Sequence, residues 1–366
     1  MRIIDARTSV HALDLRLPLT NTPAGDSTRV ICELETDDGF VGVGMSARFL
    51  PHAIASAVTN HLVQAIKGMD PRDLEAIHAR LEPIVSERGR MSGINLAALA
   101  CVDLACWDII GQASGRSVAQ LLGGHKTYAD AYVTYGFPVY DPDQLVELGR
   151  QLMAKGHTRL KMLVGVAKGG LLEDAMRVKY VREALGDTLI LALDGNENPS
   201  LEYATQLCRL VEDYNIAWFE DPIRNNDARD LAMLRKRTTI PLSAGQMDGH
   251  SRQFREWIEH DALDIFMPNS MYNGGMTETR RVAHLAQIYN RPLSDAGGGG
   301  IYCLHHVAGF RNGTLVECHL GVEQLEQAIF TDAPEPIDGR VHVPERPGFG
   351  VTLNRDVLKD TLIRPE

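Results

Sequence analysis

The chain has 366 residues, a net charge of −11, 23% charged residues and 44% hydrophobic residues. This composition is ordinary for a globular enzyme, and the absence of a basic cluster argues against a nucleic-acid partner. We find neither an N-terminal apolar segment like a signal peptide nor an apolar run long enough to cross a bilayer, so we expect a cytoplasmic protein without a membrane partner. The six cysteines form no CxxC pair and lie in apolar stretches, as reduced core residues do.

The first 45 residues alternate between polar and apolar side chains, as antiparallel strands do. The triplet Asp37–Gly39 is a hairpin turn signal between two of these strands. A polar loop with proline and glycine, Leu17–Arg29, separates the first two strands. Such a loop is either a plain connection or a lid over a functional site, and we favour the lid.

Three stretches with helical spacing of apolar residues follow, at His52–Gly68, Asp73–Glu87 and Ser92–Gly115. The third is composed mostly of small apolar residues and should be buried, with Ser92 as its N-cap. Together with the strands, these helices predict an α+β domain over residues 1–125 that includes the lid.

From Tyr128 onward the pattern repeats strand and helix. Eight strands are predicted near 129–135, 157–163, 188–194, 215–220, 240–244, 263–267, 291–294 and 313–318, with helices between most of them. Parallel connections between eight strands favour a closed barrel over residues 126–320. The last segment, 321–366, is rich in turn residues and is expected to return to the first domain.

Three strands of this region end in an oxygen-bearing side chain at evenly spaced positions, Asp194, Glu220 and Gln246. If the strands are neighbours in a barrel, these side chains converge at the C-terminal edge of the sheet. Hard oxygen ligands from separate strands are suited to Mg²⁺, with Mn²⁺ as an alternative.

Four motifs resemble the enolase superfamily in its mandelate racemase and muconate-lactonizing branch. They are LAALACVDLACWDIIGQASGRSVAQLLGG (Leu96–Gly124), FEDP (Phe219–Pro222), DIFMPNSMYNGGMTE (Asp264–Glu278) and VPERPGFGV (Val343–Val351). The resemblance covers nearly the whole chain. It implies a modified (β/α)₇β barrel with an N-terminal α+β capping domain, and a homo-oligomer. It also implies Mg²⁺-dependent removal of the proton α to a carboxylate, through a metal-stabilised enediolate.

The resemblance assigns roles to several residues of this chain. Asp194 and Glu220 match the first two metal ligands, and Glu317 matches a residue that contacts the substrate carboxylate. Asn196 lies two residues after Asp194 and would position water or carboxylate at the metal. The third ligand, usually glutamate, is Gln246 here, which removes one negative charge; Asp248 or Asn269 could compensate.

The usual catalytic bases are missing from their positions. The family's Lys-x-Lys on the second barrel strand is Lys161-Met162-Leu163, so only the deeper lysine remains as a base or as a carboxylate contact. The family's aspartate and histidine dyad corresponds to Asn269 and Ala296. Other acid/base candidates, each with core packing as the alternative interpretation, are Tyr135, His305 and His306.

These observations leave three functional hypotheses. The first is a dehydratase of a sugar acid or related hydroxy acid, whose hydroxyl groups would suit the polar residues Thr134, Tyr135, Asn196, Asn269 and Asp295. The second is an isomerase of a carboxylate or lactone, of which a one-base cycloisomerase fits better than a two-base racemase. The third is a barrel that has lost catalysis and only binds. The expected partner is a small carboxylate, selected by the lid, the segment Arg48–His52 and the AGGGG loop (Ala296–Gly300).

Overall fold

The computed structural model describes residues 1–25, 28–47, 49–86, 93–247 and 249–364. Ser92, Arg48 and Asp248, which entered the sequence analysis as an N-cap, a specificity residue and a substitute ligand, lie outside the described residues. So do Asp26 and Ser27 of the predicted lid.

An antiparallel sheet opens the chain. Its strands are β1 (Ile3–Ala12), β2 (Thr28–Thr36) and β3 (Val41–Ala47), in the order β1-β2-β3. The helices that follow are α1 (Pro51–Ala57), α2 (Val63–Ile66), α3 (Leu74–Val85), α4 (Ile94–Ser114) and α5 (Val118–Leu122). A π-helical turn, Val58–Leu62, joins α1 to α2 where the sequence predicted one continuous helix.

Helix α4 forms the core of this N-terminal part. By length and composition it could cross a membrane, contrary to our expectation from the sequence, but 83% of its apolar window is buried inside the protein. Its small residues let β3 approach closely. A methyl group on Gly44 would lie 1.9 Å from the Cys101 carbonyl oxygen. The apolar composition of α4 therefore reflects packing between the sheet and the rest of the molecule.

Seven parallel strands form the barrel, in the order β10-β4-β5-β6-β7-β8-β9. They are β4 (Tyr128–Gly136), β5 (Arg159–Leu163), β6 (Ile190–Asp194), β7 (Ile216–Glu220), β8 (Leu242–Ala244), β9 (Ile265–Phe266) and β10 (Leu315–His319). The predicted strand at 291–294 is reduced to Leu293, which bridges Phe266 and Gly313 and closes the barrel. Pro292, which has no N–H to donate, shortens that strand. The predicted fold class, a TIM-type barrel with an N-terminal α+β cap, is confirmed.

Helices cover the outside of the barrel. They are α6 (Pro142–Ala154), α7 (Leu171–Leu185), α8 (Leu201–Val211), α9 (Ala228–Arg235), α10 (Ser251–Glu259), α11 (Met276–Ile288) and α12 (Gly300–Gly309). Helix α6 begins as its sequence indicates, with Pro142 in the first turn and a capping box between Asp141 and Gln144.

The last residues contact both parts of the molecule. They contain α13 (Glu323–Ile329), β11 (Arg340–His342) and α14 (Arg355–Thr361). Strand β11 pairs antiparallel with β4, whereas the Ile363 N–H donates to the Val10 carbonyl 2.9 Å away on β1. Arg355 also pairs with Glu33 of β2 at 2.5 Å. The division of the chain at residues 125 and 320 remains a prediction.

Buried polar contacts hold the cap over one end of the barrel. On α4, Asp103 accepts the Thr277 N–H at the start of α11 (3.0 Å) and contacts His78 Nε2 of α3 (2.7 Å). One turn later, Trp107 Nε1 donates to Thr277 Oγ1 at 2.9 Å. At the end of β3, Ser46 Oγ donates to the Met271 carbonyl, in the loop after β9. These bonds set the position of the cap above the C-terminal ends of the strands.

Candidate active site and metal centre

The C-terminal ends of neighbouring strands bring a buried charged group together inside the barrel. In the parallel register, Leu163 lies opposite Asp194, and Asp194 lies opposite Glu220. Lys161, Asp194, Glu220 and Glu317 are all nearly inaccessible to solvent. Side chains alternate between the two faces of a strand, and these four point to the inner face of the barrel. Because their strands are neighbours, the four side chains converge.

Lys161 lies at the centre of this group. Its Nζ is 2.6 Å from Glu220 Oε1, 2.9 Å from Asp194 Oδ2 and 3.2 Å from Glu317 Oε1. The ammonium also lies 5.1 Å from the centre of the Tyr132 ring. Burial alone would lower the pKa of Lys161, but the three carboxylates raise it well above its ordinary value. In this arrangement Lys161 is a cation.

Three carboxylates lie close enough together to hold a metal ion. One oxygen each from Asp194, Glu220 and Asp221 lies within 4.8 Å of the others. Burial raises the pKa of Glu220 well above its ordinary range, and it raises that of Asp221 to about 7. Glu220 Oε2 is buried and has no hydrogen-bond partner.

This donor set fits a hard divalent cation. Carboxylate oxygens are the ligands that Mg²⁺ prefers, and an unpartnered buried oxygen is costly unless something binds it. Lys161 supplies one positive charge against the three carboxylates of the cluster and Glu317. Asp194 and Glu220 would hold the ion, together with a third residue from the same cluster.

Gln246 turns its amide nitrogen toward the carboxylates. Its Nε2 donates to Asp221 Oδ2 at 2.6 Å and lies 3.5 Å from Glu220 Oε1. Its carbonyl oxygen faces Gly297 (φ +76°), where a methyl group would lie 2.2 Å away. In this orientation Gln246 is a donor to the cluster, and ligation by its oxygen would require the amide to be reversed.

Glu317 is held as an anion beside Lys161. It accepts hydrogen bonds from Thr134 Oγ1 and from the Gly298 N–H, the latter at 2.6 Å. Burial would raise the pKa of Glu317, but Lys161, His319 and these donors lower it to about 2. The AGGGG loop thus presents a backbone N–H to the site, and the hydroxyl of Thr134 is used to orient Glu317.

Two other predicted substrate contacts are engaged with the backbone. Asn269 donates to the Ala296 carbonyl (2.7 Å) and accepts the Met271 N–H (2.9 Å), so it joins two loops of the barrel mouth. Asp295 Oδ1 accepts the Glu317 N–H at 2.7 Å. Asn196 is exposed at the mouth, and its N–H donates to Asp194 Oδ1 at 2.9 Å.

Three predicted acid/base residues lie away from the carboxylates. Tyr135 alternates with Thr134 and packs in the main hydrophobic core, where its hydroxyl has no hydrogen-bond partner and burial raises its pKa well above the ordinary value. His305 accepts the Ala119 N–H on Nδ1, so its Nε2 donates to the Phe349 carbonyl. His306 contacts Ser270 Oγ. Burial lowers the pKa of His305 to about 4 and that of His306 to about 3, so both rings are neutral and serve packing.

Sequence reasoning missed three residues of the mouth, namely Tyr132, Asp221 and His319. Tyr132 shares the inward face of β4 with Thr134, and its hydroxyl donates to the Asp295 carbonyl at 2.7 Å. His319 shares the inward face of β10 with Glu317, so the spacing Glu-x-His was a usable signal. Asp221 gave no such signal, because a regular strand would point it away from Glu220.

The described part of the loop Leu17–Arg29 lies against the barrel mouth. The Pro18 carbonyl accepts the Tyr140 hydroxyl at 2.9 Å, and the Arg16 carbonyl just before the loop accepts Gln324 Nε2. A methyl group at Gly321, two residues after His319, would lie 3.2 Å from the Ala24 carbonyl oxygen. These contacts are those of a covering segment over the β4 and β10 side of the mouth.

Two family models match the chain. One, described as the mandelate racemase / muconate lactonizing enzyme N-terminal domain, covers residues 4–123, and the other, enolase C-terminal domain-like, covers residues 144–357. Arabinonate dehydratase of Saccharolobus solfataricus is 30% identical over 90% of both chains. D-galactarolactone cycloisomerase of Agrobacterium fabrum is 28% identical over 98% of both. A racemase from Streptomyces coelicolor A3(2), solved with bound magnesium, superposes with a TM-score of 0.89 at 25% identity, over 99% of this chain and 100% of that one.

Proposed function

The chain belongs to the mandelate racemase/muconate lactonizing enzyme family, and from that premise we propose that it removes the proton α to the carboxylate of a hydroxylated acid. The reaction that we favour is dehydration of a sugar acid or related hydroxy acid to a 2-keto acid. A divalent cation at the carboxylate cluster would supply positive charge for the dianion that forms when the α-proton leaves.

The observation that carries the proposal is the buried group of Lys161, Asp194, Glu220 and Glu317 beneath a covering loop. An α-proton next to a carboxylate is very weakly acidic, so its removal needs concentrated positive charge in a site that excludes water. The strand ends of this chain provide oxygen ligands for a divalent cation, and Lys161 lies among them.

We assign proton removal to Lys161. Among the described residues, the other predicted acid/base groups lie outside the mouth, with their polar atoms turned to backbone or core. Before Lys161 can act as a base, its ammonium must lose a proton to solvent. That loss would become possible if a divalent cation took up Asp194 and Glu220, because these carboxylates hold the proton in the present arrangement. Glu317 would then remain as the group that orients the amine, itself oriented by Thr134 and Gly298.

His319 has a supporting role in the proposal. Its Nδ1 accepts the Gly321 N–H at 3.1 Å, and Phe137 packs edge-on against the ring with ring centroids 5.4 Å apart. We therefore place His319 as a residue that positions the end of β10 next to Glu317, and we do not assign the base role to it.

Dehydration is favoured over isomerisation by the relative that is an arabinonate dehydratase. Cycloisomerisation is the second candidate, supported by the relative that acts on galactarolactone. Both reactions need only one base. Racemisation by two bases fits poorly, because Leu163 and Ala296 occupy the family's base positions.

The proposal is tested with arabinonate, galactarate and D-galactarolactone, each incubated with the protein and Mg²⁺ in D₂O. A dehydratase forms a keto acid that semicarbazide traps, and proton NMR shows loss of the α-hydrogen. A cycloisomerase consumes the lactone without forming a keto acid. Lys161→Ala should abolish either reaction and leave metal binding in place. If the wild-type protein exchanges no α-hydrogen and binds no metal, the barrel serves binding alone and our proposal is wrong.

A further inference from the structure

The third acid of the metal centre is the feature of this site that the sequence leaves unexplained. At the position where the family has a glutamate ligand, this chain has Gln246, and the structure turns the amide nitrogen of that residue toward the cluster. Asp221 instead brings a third carboxylate within 4.8 Å of Asp194 and Glu220. We propose that Asp221 and Gln246 have exchanged roles, so that Asp221 is the third acidic ligand and Gln246 is the donor that orients it.

The backbone explains why Asp221 faces the cluster at all. In a regular strand the residue after Glu220 would point to the opposite face. Asp221 has φ of +41°, in the left-handed region, and this turns its side chain back toward the barrel mouth. The conformation costs about 1–2 kcal/mol for a residue other than glycine. It is held by two bonds to neighbouring strand ends, from the Asp221 N–H to the Ser243 carbonyl and from the Glu197 N–H to the Asp221 carbonyl.

The Asp221 carboxylate is oriented at both oxygens. Asn226 Nδ2 donates to Oδ1 at 2.9 Å, and Gln246 Nε2 donates to Oδ2 at 2.6 Å. Both donors are nearly inaccessible to solvent. A carboxylate oxygen has two lone pairs, so each Asp221 oxygen keeps one for a metal ion after accepting these bonds. Outer partners of this kind fix the orientation of ligating carboxylates in metal sites.

A second observation places a cation beside Asp221. Glu220 is completely buried, and its Oε2 has no hydrogen-bond partner although Oε1 contacts Lys161. A buried oxygen without a hydrogen-bond partner is energetically costly unless a cation binds it. With Asp221 as the third ligand, the centre keeps three ligating carboxylates although position 246 is not a glutamate.

The inference rests on the metal-dependent function proposed above, but its test does not need turnover. Mn²⁺ is titrated into the metal-stripped full-length protein and the free ion is measured by electron paramagnetic resonance. Asp221→Asn keeps the side-chain volume and removes the charge, and we expect it to weaken Mn²⁺ binding by about 100-fold or more. Gln246→Ala keeps every carboxylate, and we expect a smaller loss, on the order of tenfold, as for other outer-shell changes.

The double variant Asp221→Asn with Gln246→Glu moves the carboxylate back to position 246. It should recover binding to within about tenfold of the wild type. As a matched control, Asp227→Asn removes a nearby charge while keeping an N-cap for α9, and binding should stay within about twofold. Circular dichroism of each metal-free variant shows whether it is folded; if Asp221→Asn is not, the comparison of Gln246→Ala with Asp194→Asn decides.

Two results would overturn the exchange of roles. One is a loss of Mn²⁺ affinity of less than about tenfold in Asp221→Asn. The other is a loss of Mn²⁺ affinity in Gln246→Ala as large as that in Asp194→Asn. Failure of the proposed function looks different. In that case Mn²⁺ still binds and depends on Asp221, and none of the acid sugars is converted.

Discussion

A single buried ammonium, that of Lys161, faces three carboxylates, and its removal should change both stability and metal affinity. In Lys161→Met, the remaining acids lose the ammonium that pairs with them, which should cost about 3–5 kcal/mol of unfolding free energy without metal. Mg²⁺ then has no competing cation at Asp194 and Glu220, so its affinity should rise by about tenfold or more.

Thermal unfolding over a Mg²⁺ series measures both effects at Lys161. The variant should melt well below the wild type without metal and gain more from Mg²⁺ than the wild type does. Lys168→Met, at an exposed position, should change neither value. An equal Mg²⁺ effect in Lys161→Met and wild type would show that the ammonium does not compete with the ion.

Gly297 provides a second prediction for a single residue. Gly297→Ala adds a methyl group 2.2 Å from Gln246 Oε1 at a backbone φ of +76°. We expect a loss of about 2–4 kcal/mol in urea unfolding, the sum of backbone strain and a displaced Gln246. Gly115→Ala is the control, because Gly115 has φ of +65° and no atom within 4 Å. It should lose only about 1 kcal/mol. Equal losses in the two variants would mean that Gln246 moves freely.

Residue by residue, the sequence predicted those site positions that follow strand periodicity. Asp194, Glu220 and Glu317 lie at strand ends and face inward, and they could be placed by counting. Tyr135 was chosen where Tyr132 faces the site, because the register of β4 could not be read from its apolar run. Asp221 could not be found, since its inward direction depends on a positive φ that no residue type there demands. His305 and His306 lie on the buried face of α12, which sequence spacing does not distinguish from the barrel mouth.

Helices α3 and α4 are joined by a pH-dependent contact between His78 and Asp103. Burial would lower the pKa of His78, but Asp103 and Glu278 raise it above the usual 6.5 against the opposing charge of Arg281. A group whose folded pKa is raised stabilises fully below its unfolded pKa, and that stability is lost as pH rises through the folded pKa. The unfolding free energy should therefore fall as the pH rises above about 6.5.

Urea unfolding from about pH 6 to about pH 9 tests the His78 contact. In His78→Gln the fall in unfolding free energy with pH should disappear, because glutamine can still reach Asp103 but does not titrate. The variant His61→Gln, at an exposed position, should show the same fall as the wild type. A pH dependence that survives in His78→Gln would assign the effect to other groups.

Helices and strands were predicted better than the connections between them. The sequence predicts helices over Pro142–Lys155, Leu172–Leu185 and Thr277–Tyr289, and α6, α7 and α11 begin and end within one residue of these bounds. The exceptions have local causes. The stretch after Pro51 contains a π-helical turn, and the strand at 291–294 is shortened by Pro292 to one bridge.

The molecule as a whole should unfold as one unit, because the cap and the barrel share buried polar contacts. Trp107 lies at their interface and donates to Thr277, whereas Trp257 is buried within the barrel and donates to the Asn226 carbonyl. Phenylalanine at either position removes one N–H bond, worth about 1 kcal/mol. In calorimetry, Trp107→Phe should broaden or split the transition, and Trp257→Phe should lower its temperature without splitting it. Identical profiles would show that Trp107 does not couple the two parts.

Pairing between the two ends of the chain has a consequence for synthesis on the ribosome. Strand β4 needs β10 as a neighbour, and β1 is joined through His11 and Val10 to Leu362 and Ile363. Domains usually fold as they emerge from the ribosome, the N-terminal one first. Here β1 and β4 can complete their pairing only after the C-terminal residues have been synthesised. A nascent chain arrested after residue 320 should remain open to protease, and protection should appear only once residues 321–364 have emerged. Cells would then have to shield the apolar α4 from other nascent chains until that point.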